Sequence, residues 1–300
     1  MESHKDKLGD ITPRYCLGSP YVNDIADDVS SSLRLFADDC LLYRVIKSDL
    51  DAVHLQCDLD CLSQWAQTWQ MKFNFAKCTV IKCTRSHSLS SRDYTLQDHV
   101  LETRAQSSYL GITLHNTLTW SFHISNITSR ASRTLNFLRR NLYKCSQEVK
   151  ASAYISLVHP LMEYASVIWD PYQITYINNL ERIQRRAAWW ATSNYSRFSS
   201  VTNILESLKW PTLELRRKIA RLSIFHKVMY SLSPVHLPSH FCITDKSTRQ
   251  CHPLHIITPF TATSAYQARF FCELLRIGMS CQLLCNNDLF TTELTNFLIT

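Results

Sequence analysis

Glycine is scarce in this chain, which has only 4 Gly among 300 residues. Enzymes that bind nucleotides through glycine-rich loops use Gly where the backbone takes a positive φ or approaches a phosphate closely. The sequence contains neither a G-x-G-x-x-G pattern nor a P-loop pattern. Nucleotide binding of either kind is therefore not expected.

Long apolar runs are also missing. No stretch of roughly 18 or more predominantly apolar residues occurs, and the charged first residues are not followed by an apolar segment. The sequence therefore predicts no transmembrane helix, no membrane partner and no secretory signal. With 12 scattered Cys, it favours reduced thiols and an intracellular protein, cytoplasmic or nuclear.

Charge is unevenly distributed along the chain. The net charge is +7, but the segment from Trp120 to Leu232 has 16 Lys and Arg against 6 Asp and Glu, a net +10, which leaves the remainder at −3. A basic half beside a weakly acidic half is typical of a nucleic-acid-binding lobe joined to a carboxylate site. The alternative is a set of solvated helix faces.

Two adjacent acids, Asp38 and Asp39, interrupt a run of strand-forming residues. Five residues of strand character precede them and a second run extends to Ile46, which predicts a tight β-hairpin with both acids in its turn. Adjacent carboxylates repel each other unless a cation lies between them. Such a turn suits a hard divalent cation such as Mg²⁺; the alternative is a solvated acidic turn.

Helical spacing follows this hairpin. Ser48 can cap a helix over residues 49–70, which we expect to pack on the neighbouring strands. Its predicted buried face consists of Leu50, Val53, Cys57, Cys61, Trp65 and Trp69, together with Leu62 and Ala66. A second hairpin is predicted around residues 97–99. Further short strands are predicted over residues 71–73, 78–84 and 108–114, with Gly111 marking a bulge or a close backbone approach.

From Trp120 the period is helical, and the sequence predicts several helices up to Ser231, one of them kinked or ended at Pro160. The expected fold class is α+β: an antiparallel sheet with one packed helix, followed by a helical bundle. Arginines lie off the apolar faces of these helices, where they can contact phosphates. The candidate nucleic-acid-binding residues are Arg130, Arg133, Arg139, Arg140, Arg182, Arg185, Arg186, Arg216 and Arg217.

Several motifs together resemble a known family. The segment Phe36–Ala37–Asp38–Asp39 followed by Cys-Leu-Leu-Tyr is similar to the catalytic hairpin of reverse transcriptases from non-LTR (LINE, jockey-like) retrotransposons. Four further stretches resemble that family in the same order: residues 65–78, 109–123, 157–171 and 181–188. The similarity extends from about Asp24 to Pro238.

The resemblance implies an RNA-directed DNA polymerase with Mg²⁺ as its metal, an RNA template and a DNA primer as partners, and no small-molecule cofactor. Asp38 would be a metal ligand and Asp39 its neighbour in the active-site turn. Lys77 would lie near the triphosphate as a proton donor to pyrophosphate. The primer end would be positioned by Tyr109, Leu110 and Gly111.

Departures from the family pattern predict a truncated polymerase. Only 37 residues precede Asp38, and none of them resembles the strand that supplies the family's other essential Asp. The expected organisation is a poorly ordered leader (1–32), a partial palm (33–114), a helical thumb (115–232) and an irregular tail (233–300). Such a chain is expected to be inactive alone; the alternatives are a non-catalytic nucleic-acid-binding module and a non-functional remnant.

Two further groups of residues could in principle bind a ligand, one a zinc ion and the other a nucleic-acid base. A zinc site could be assembled from residues whose spacing matches no standard zinc finger: His236, His240, Cys242, Cys251, His252 and His255. Trp189 and Trp190 could stack on bases, but adjacent aromatic residues near a helix end are also typical of a core.

Overall fold

The computed structural model describes residues 24–37, 39–83, 92–196, 199–230 and 232, and within them eight strands and eight helices. The predicted α+β class is confirmed. The chain divides into two compact units, Met1–Ile124 and Ser125–Thr300, which we call unit 1 and unit 2. Asp38, most of the predicted leader, and the predicted tail with its six His and Cys candidates lie outside the described residues.

Unit 1 contains one helix and short strands. In chain order these are β1 (Ser32–Phe36), β2 (Asp39–Tyr43), α1 (Asp49–Thr68), β3 (Thr79–Val80), β4 (Thr95–Leu96), β5 (His99–Val100), β6 (Glu102–Thr103), β7 (Gln106–Tyr109) and β8 (Ile112–His115). The strands form four two-stranded ladders, of which β1–β2, β4–β5 and β7–β8 are antiparallel and β3–β6 is parallel. The predicted strand over residues 71–73 does not form. The described residues therefore hold separate short ladders rather than one antiparallel sheet.

Helix α1 packs on the β1–β2 hairpin, as expected, but only part of its predicted face is buried. Leu62 and Ala66 of that face are buried, in a core that also includes Leu33 and Leu42 of the hairpin. The prediction is wrong at the two ends of the helix, where Leu50, Val53, Cys57 and Trp69 are exposed. Helical spacing indicated the face but not how far along the helix it is buried.

The start of α1 follows its sequence. The backbone N–H of Asp51 donates to the Ser48 hydroxyl at 3.4 Å, and the Asp51 carboxylate accepts the Ser48 N–H at 2.9 Å. This reciprocal pair satisfies two N–H groups that would otherwise lack a partner in the first turn.

The segment predicted as one strand over residues 108–114 is a hairpin. Tyr109 pairs with Ile112, so Leu110 and Gly111 form a two-residue turn. Both turn residues have positive φ, 47° for Leu110 and 78° for Gly111, as in a tight hairpin turn whose twist matches that of its strands. Gly111 therefore lies in a hairpin turn and does not mark a bulge.

Unit 2 is helical. It contains α2 (Ser121–Asn141, which begins at the end of unit 1), α3 (Gln147–Leu157), α4 (His159–Glu163), α5 (Ser166–Trp169), α6 (Ile174–Thr192), α7 (Val201–Ser207) and α8 (Leu213–Met229). The predicted interruption near Pro160 is confirmed, because Pro160 lies in the first turn of α4, where a missing N–H costs little. The short helix α7 was not predicted.

The start of α8 is tied to α6. The carboxylate of Glu181 accepts the backbone N–H of Glu214 at 2.9 Å, and the side-chain amide of Gln184 donates to the Pro211 carbonyl at 2.9 Å. Glu181 is 6% exposed, and burial raises the pKa of its carboxyl despite the Glu214 hydrogen bond and the neighbouring Arg217. These two buried polar residues of α6 fix the chain where α8 begins.

None of the described helices combines the length and the apolar character needed to cross a membrane.

Candidate functional site

The second acid of the predicted hairpin turn lies in a strand. Phe36 pairs with Asp39 in the β1–β2 ladder, which makes Asp39 the first residue of β2. The prediction that both acids lie in the turn is therefore wrong for Asp39. Ala37 has φ 54°, a left-handed conformation that costs a residue with a Cβ about 1–2 kcal/mol. The paired strands must supply that energy.

Asp39 and Tyr109, two of the predicted site residues, lie close together in unit 1. Both side chains are half-buried. Burial raises the pKa of the Tyr109 hydroxyl, and the charges of Asp39 and Cys40 raise it further. The phenol is protonated at neutral pH, as an ordinary tyrosine is, so Tyr109 offers an O–H donor within the electrostatic influence of Asp39.

The turn that contains Lys77 also approaches the acidic hairpin. The backbone N–H groups of Lys77 and Cys78 donate to the Asn74 carbonyl at 2.9 and 3.2 Å. Cys78 lies near Cys40 of β2: burial, with a smaller contribution from Cys78, raises the pKa of the Cys40 thiol to about 12. Electrostatic interactions thus connect Tyr109 and Cys78 to the first residues of β2.

A divalent metal needs more ligands than these segments provide. Two-metal phosphoryl transfer places carboxylates on both ions. Among the residues that the structure describes, no group of three or more His, Cys, Asp or Glu side chains could hold a metal ion. The described part of the hairpin therefore does not by itself supply the ligands for two metal ions.

A buried acid of α1 that the sequence analysis missed holds the start of the hairpin. Asp58 is 3% exposed and accepts the backbone N–H groups of Ser30 and Ser31 at 2.8 and 2.9 Å. Both serine hydroxyls also donate to it, and Arg44 Nη1 lies 3.7 Å from Oδ2. Burial acts to raise the pKa of Asp58, but the hydrogen bonds from Ser31 and Ser30 outweigh it, so that pKa is lowered. The sequence feature that could have revealed Asp58 is its position beside Leu55 and Leu59, on the apolar face of a helix.

The predicted basic residues of unit 2 differ in exposure. Five are exposed to solvent: Arg130, Arg133, Arg140, Arg182 and Arg185. Arg139 and Arg186 are half-buried, and Arg186 Nη2 donates to Asn136 Oδ1 at 2.9 Å. That bond places α6 beside α2, the two helices that contain all of these arginines.

The two predicted arginines of α8 pair with acids inside unit 2. Arg216 is bidentate to Glu163, with Nη2 3.0 Å from Oε2. Burial acts to raise the pKa of Glu163, but hydrogen bonds from His159 and Arg216 outweigh it and that pKa is lowered. Arg217 is 1% exposed, and its Nε lies 2.5 Å from Asp170 Oδ1. A buried guanidinium cannot reach a phosphate at the surface, so Arg217 is removed from the predicted nucleic-acid-binding set.

Asp170 holds two buried arginines. Besides Arg217, Arg221 places Nη1 2.9 Å from Asp170 Oδ2, and Arg221 is only 6% exposed. One carboxylate therefore joins the end of α5 to two successive turns of α8. Trp190 also belongs to the core at 3% exposed, as the structural interpretation of the tryptophan pair expected.

The chain is similar in sequence to several known proteins. The chain is 30% identical over 177 residues to the probable RNA-directed DNA polymerase from transposon BS of Drosophila melanogaster, a match that covers 57% of this chain and 19% of that protein. The chain is similar to RNA-directed DNA polymerases of jockey-like non-LTR transposons. The predicted family resemblance is thereby confirmed.

Two more relatives of the jockey-like group come from the same organism. The RNA-directed DNA polymerase from mobile element jockey is 28% identical over 165 residues, 53% of this chain and 18% of that protein. The probable RNA-directed DNA polymerase from transposon X-element is 28% identical over 183 residues, 58% of this chain and 20% of that protein. The chain thus matches about a fifth of the length of these relatives. No family model matches the chain, and no solved structure matches it.

Proposed function

We propose that this chain is part of an RNA-directed DNA polymerase of a non-LTR retrotransposon. Residues 33–114 correspond to the later part of the polymerase palm, and residues 115–232 to the thumb that holds the template–primer duplex. The observation that supports this most is the similarity of the chain to proteins named as such polymerases; within unit 1, Asp39 also interacts electrostatically with Tyr109.

The proposed roles follow the family pattern residue by residue. Asp38 and Asp39 are the carboxylates that would face Mg²⁺ once further acids complete the site. Lys77 would give a proton to the leaving pyrophosphate, and Tyr109, Leu110 and Gly111 would position the primer end. The exposed arginines of α2 and α6 would contact the phosphates of the RNA–DNA duplex.

Binding of an RNA–DNA duplex is the first test. We expect salt-sensitive binding to a fluorescent hybrid, measured by anisotropy across a salt series. Replacing Arg130, Arg133, Arg182 and Arg185 together by Gln should weaken binding and flatten the plot of log affinity against log salt by about 0.9 per lost phosphate contact. These side chains are exposed, so the change should leave the fold intact.

The matched control is Lys209→Gln, which removes one exposed positive charge from the turn after α7. It should leave the salt dependence close to that of the unaltered chain. No measurable binding by the unaltered chain at low salt would remove the proposal that unit 2 holds the duplex.

Primer extension is the second test. We propose that the chain alone does not extend a DNA primer on an RNA template with Mg²⁺ and deoxynucleotides, because it matches only about a fifth of the length of the polymerases to which it is similar. The unaltered chain and the Asp38→Ala/Asp39→Ala variant should therefore give equal, background signal. Extension that disappears in the double variant would contradict the proposed inactivity. Hybrid binding without extension would support it.

A further inference from the structure

A groove of about 550 Å³ lies on unit 2 between α2, the beginning of α3 and the end of α6. Its size falls within the range of about 300–1,000 Å³ that is usual for small-molecule sites. Cations and aromatic rings dominate its lining: Arg139, Arg140, Lys150, Tyr143, Trp190 and Tyr195. The described residues that line it include no Asp or Glu.

The inner wall of the groove is positively charged. Lys150 is 5% exposed, and its Nζ donates to the Ser193 hydroxyl at 2.8 Å, a neutral partner and not a carboxylate. A buried ammonium with a neutral partner gains from an anion, because burial removes much of its hydration. Arg139 and Arg140 add two guanidinium groups at the same groove, and guanidinium groups match phosphate oxygens in geometry.

The rim of the groove is aromatic. Tyr143 and Tyr195 are 64% and 63% exposed, so neither ring contributes much to the core. The Lys144 ammonium lies 5.5 Å from the centre of the Tyr143 ring. Exposed aromatic rings beside cations are the arrangement by which proteins stack unpaired bases while holding the adjoining phosphates.

We propose that this groove holds one unpaired nucleotide of a nucleic-acid strand. Its phosphate lies against Arg139, Arg140 and Lys150, and its base stacks on Tyr143 or Tyr195. This proposal rests on the proposed nucleic-acid-binding function of unit 2 and adds a preference that the phosphate contacts alone would not give. Bases inside a duplex are stacked on one another and cannot reach the tyrosines, so the groove selects a single-stranded segment.

The test compares a short single-stranded RNA with a blunt RNA–DNA hybrid of the same length, both by anisotropy at one salt concentration. The Tyr143→Ala/Tyr195→Ala variant should bind the single strand about tenfold more weakly, the scale of base–aromatic stacking. Its affinity for the blunt hybrid should stay within about twofold, because the phosphate contacts remain. Circular dichroism should show an unchanged helical signal.

The control is Tyr172→Ala, which removes a tyrosine that is 55% exposed in unit 2 and does not line the groove. It should leave both affinities unchanged. Arg140→Gln should weaken binding of the single strand as well, which links the phosphate to the same groove.

Three outcomes would overturn the proposal. If the tyrosine variant binds both nucleic acids as the unaltered chain does, no base stacks in the groove, although the arginines can still bind a duplex. If an acidic peptide competes with the RNA equally well for the unaltered chain and the tyrosine variant, the groove recognises negative charge alone. If the unaltered chain binds neither nucleic acid at low salt, the proposed function fails together with this inference.

Discussion

Replacing Asp170 with Ala should destabilise unit 2 by about 3–5 kcal/mol, the range for removing one partner of a buried ion pair. The substitution leaves Arg217 and Arg221, which are 1% and 6% exposed, without the carboxylate that joins them. Two buried positive charges would then face each other in a medium that screens them poorly. Chemical denaturation followed by circular dichroism measures the loss.

The matched control is Glu206→Ala, which removes an exposed carboxylate from α7 and should change the free energy of unfolding by no more than about 0.5 kcal/mol. A second variant separates charge from packing. Combining Asp170→Leu with Arg217→Met and Arg221→Leu should recover much of the stability, because apolar groups of similar volume can replace a buried ionic cluster. Equal stability of Asp170→Ala and Glu206→Ala would show that the cluster does not hold α8 in place.

Replacing Asp58 with Asn should destabilise unit 1 by about 3 kcal/mol near neutral pH, since buried donors left without partners cost about 1–3 kcal/mol each. The amide is close in size to the carboxylate but can accept on one atom only, whereas the native side chain accepts from Ser30 and Ser31 on both oxygens. Arg44 would also lose its nearby negative charge.

The loss should depend on pH in a defined direction. The folded-state pKa of Asp58 is lowered, so its contribution to stability is complete above the unfolded-state value of about 3.9 and disappears as the pH falls through the folded-state pKa. The difference in unfolding free energy between the unaltered chain and Asp58→Asn should therefore be constant from neutral pH to about pH 5 and shrink below about pH 4. Asp60→Asn, an exposed neighbour on α1, is the control and should show little difference. A gap that persists unchanged at low pH would mean that the Asp58 charge is not what stabilises the hairpin.

Sequence patterns predicted helices better than the faces by which they pack. Ile127, Ala131 and Leu135 recur at helical spacing along α2 and are all buried, because one apolar stripe runs along that helix. Helix α1 has apolar residues on more than one side, and its buried side also contains Asp58, which accepts hydrogen bonds from the two serines before β1. That contact spans distant parts of the sequence, so local periodicity could not reveal it.

The sequence could indicate the candidate site residues but not their interactions in the folded chain. The motifs give Asp39, Lys77 and Tyr109 only an order along the chain, whereas the electrostatic interaction between Asp39 and Tyr109 depends on the fold. For the basic residues, the sequence could not show which side chains are exposed. Composition treats all arginines alike, whereas burial separates Arg217, which neutralises an internal acid, from Arg182 and Arg185, which are exposed.

The two sides of helix α6 make different interactions. Glu181 and Gln184 grip the residues where α8 begins, while their neighbours Arg182 and Arg185 point to solvent. These two hydrogen bonds mean that α8 cannot shift along α6 without breaking contacts of buried polar groups, which is costly.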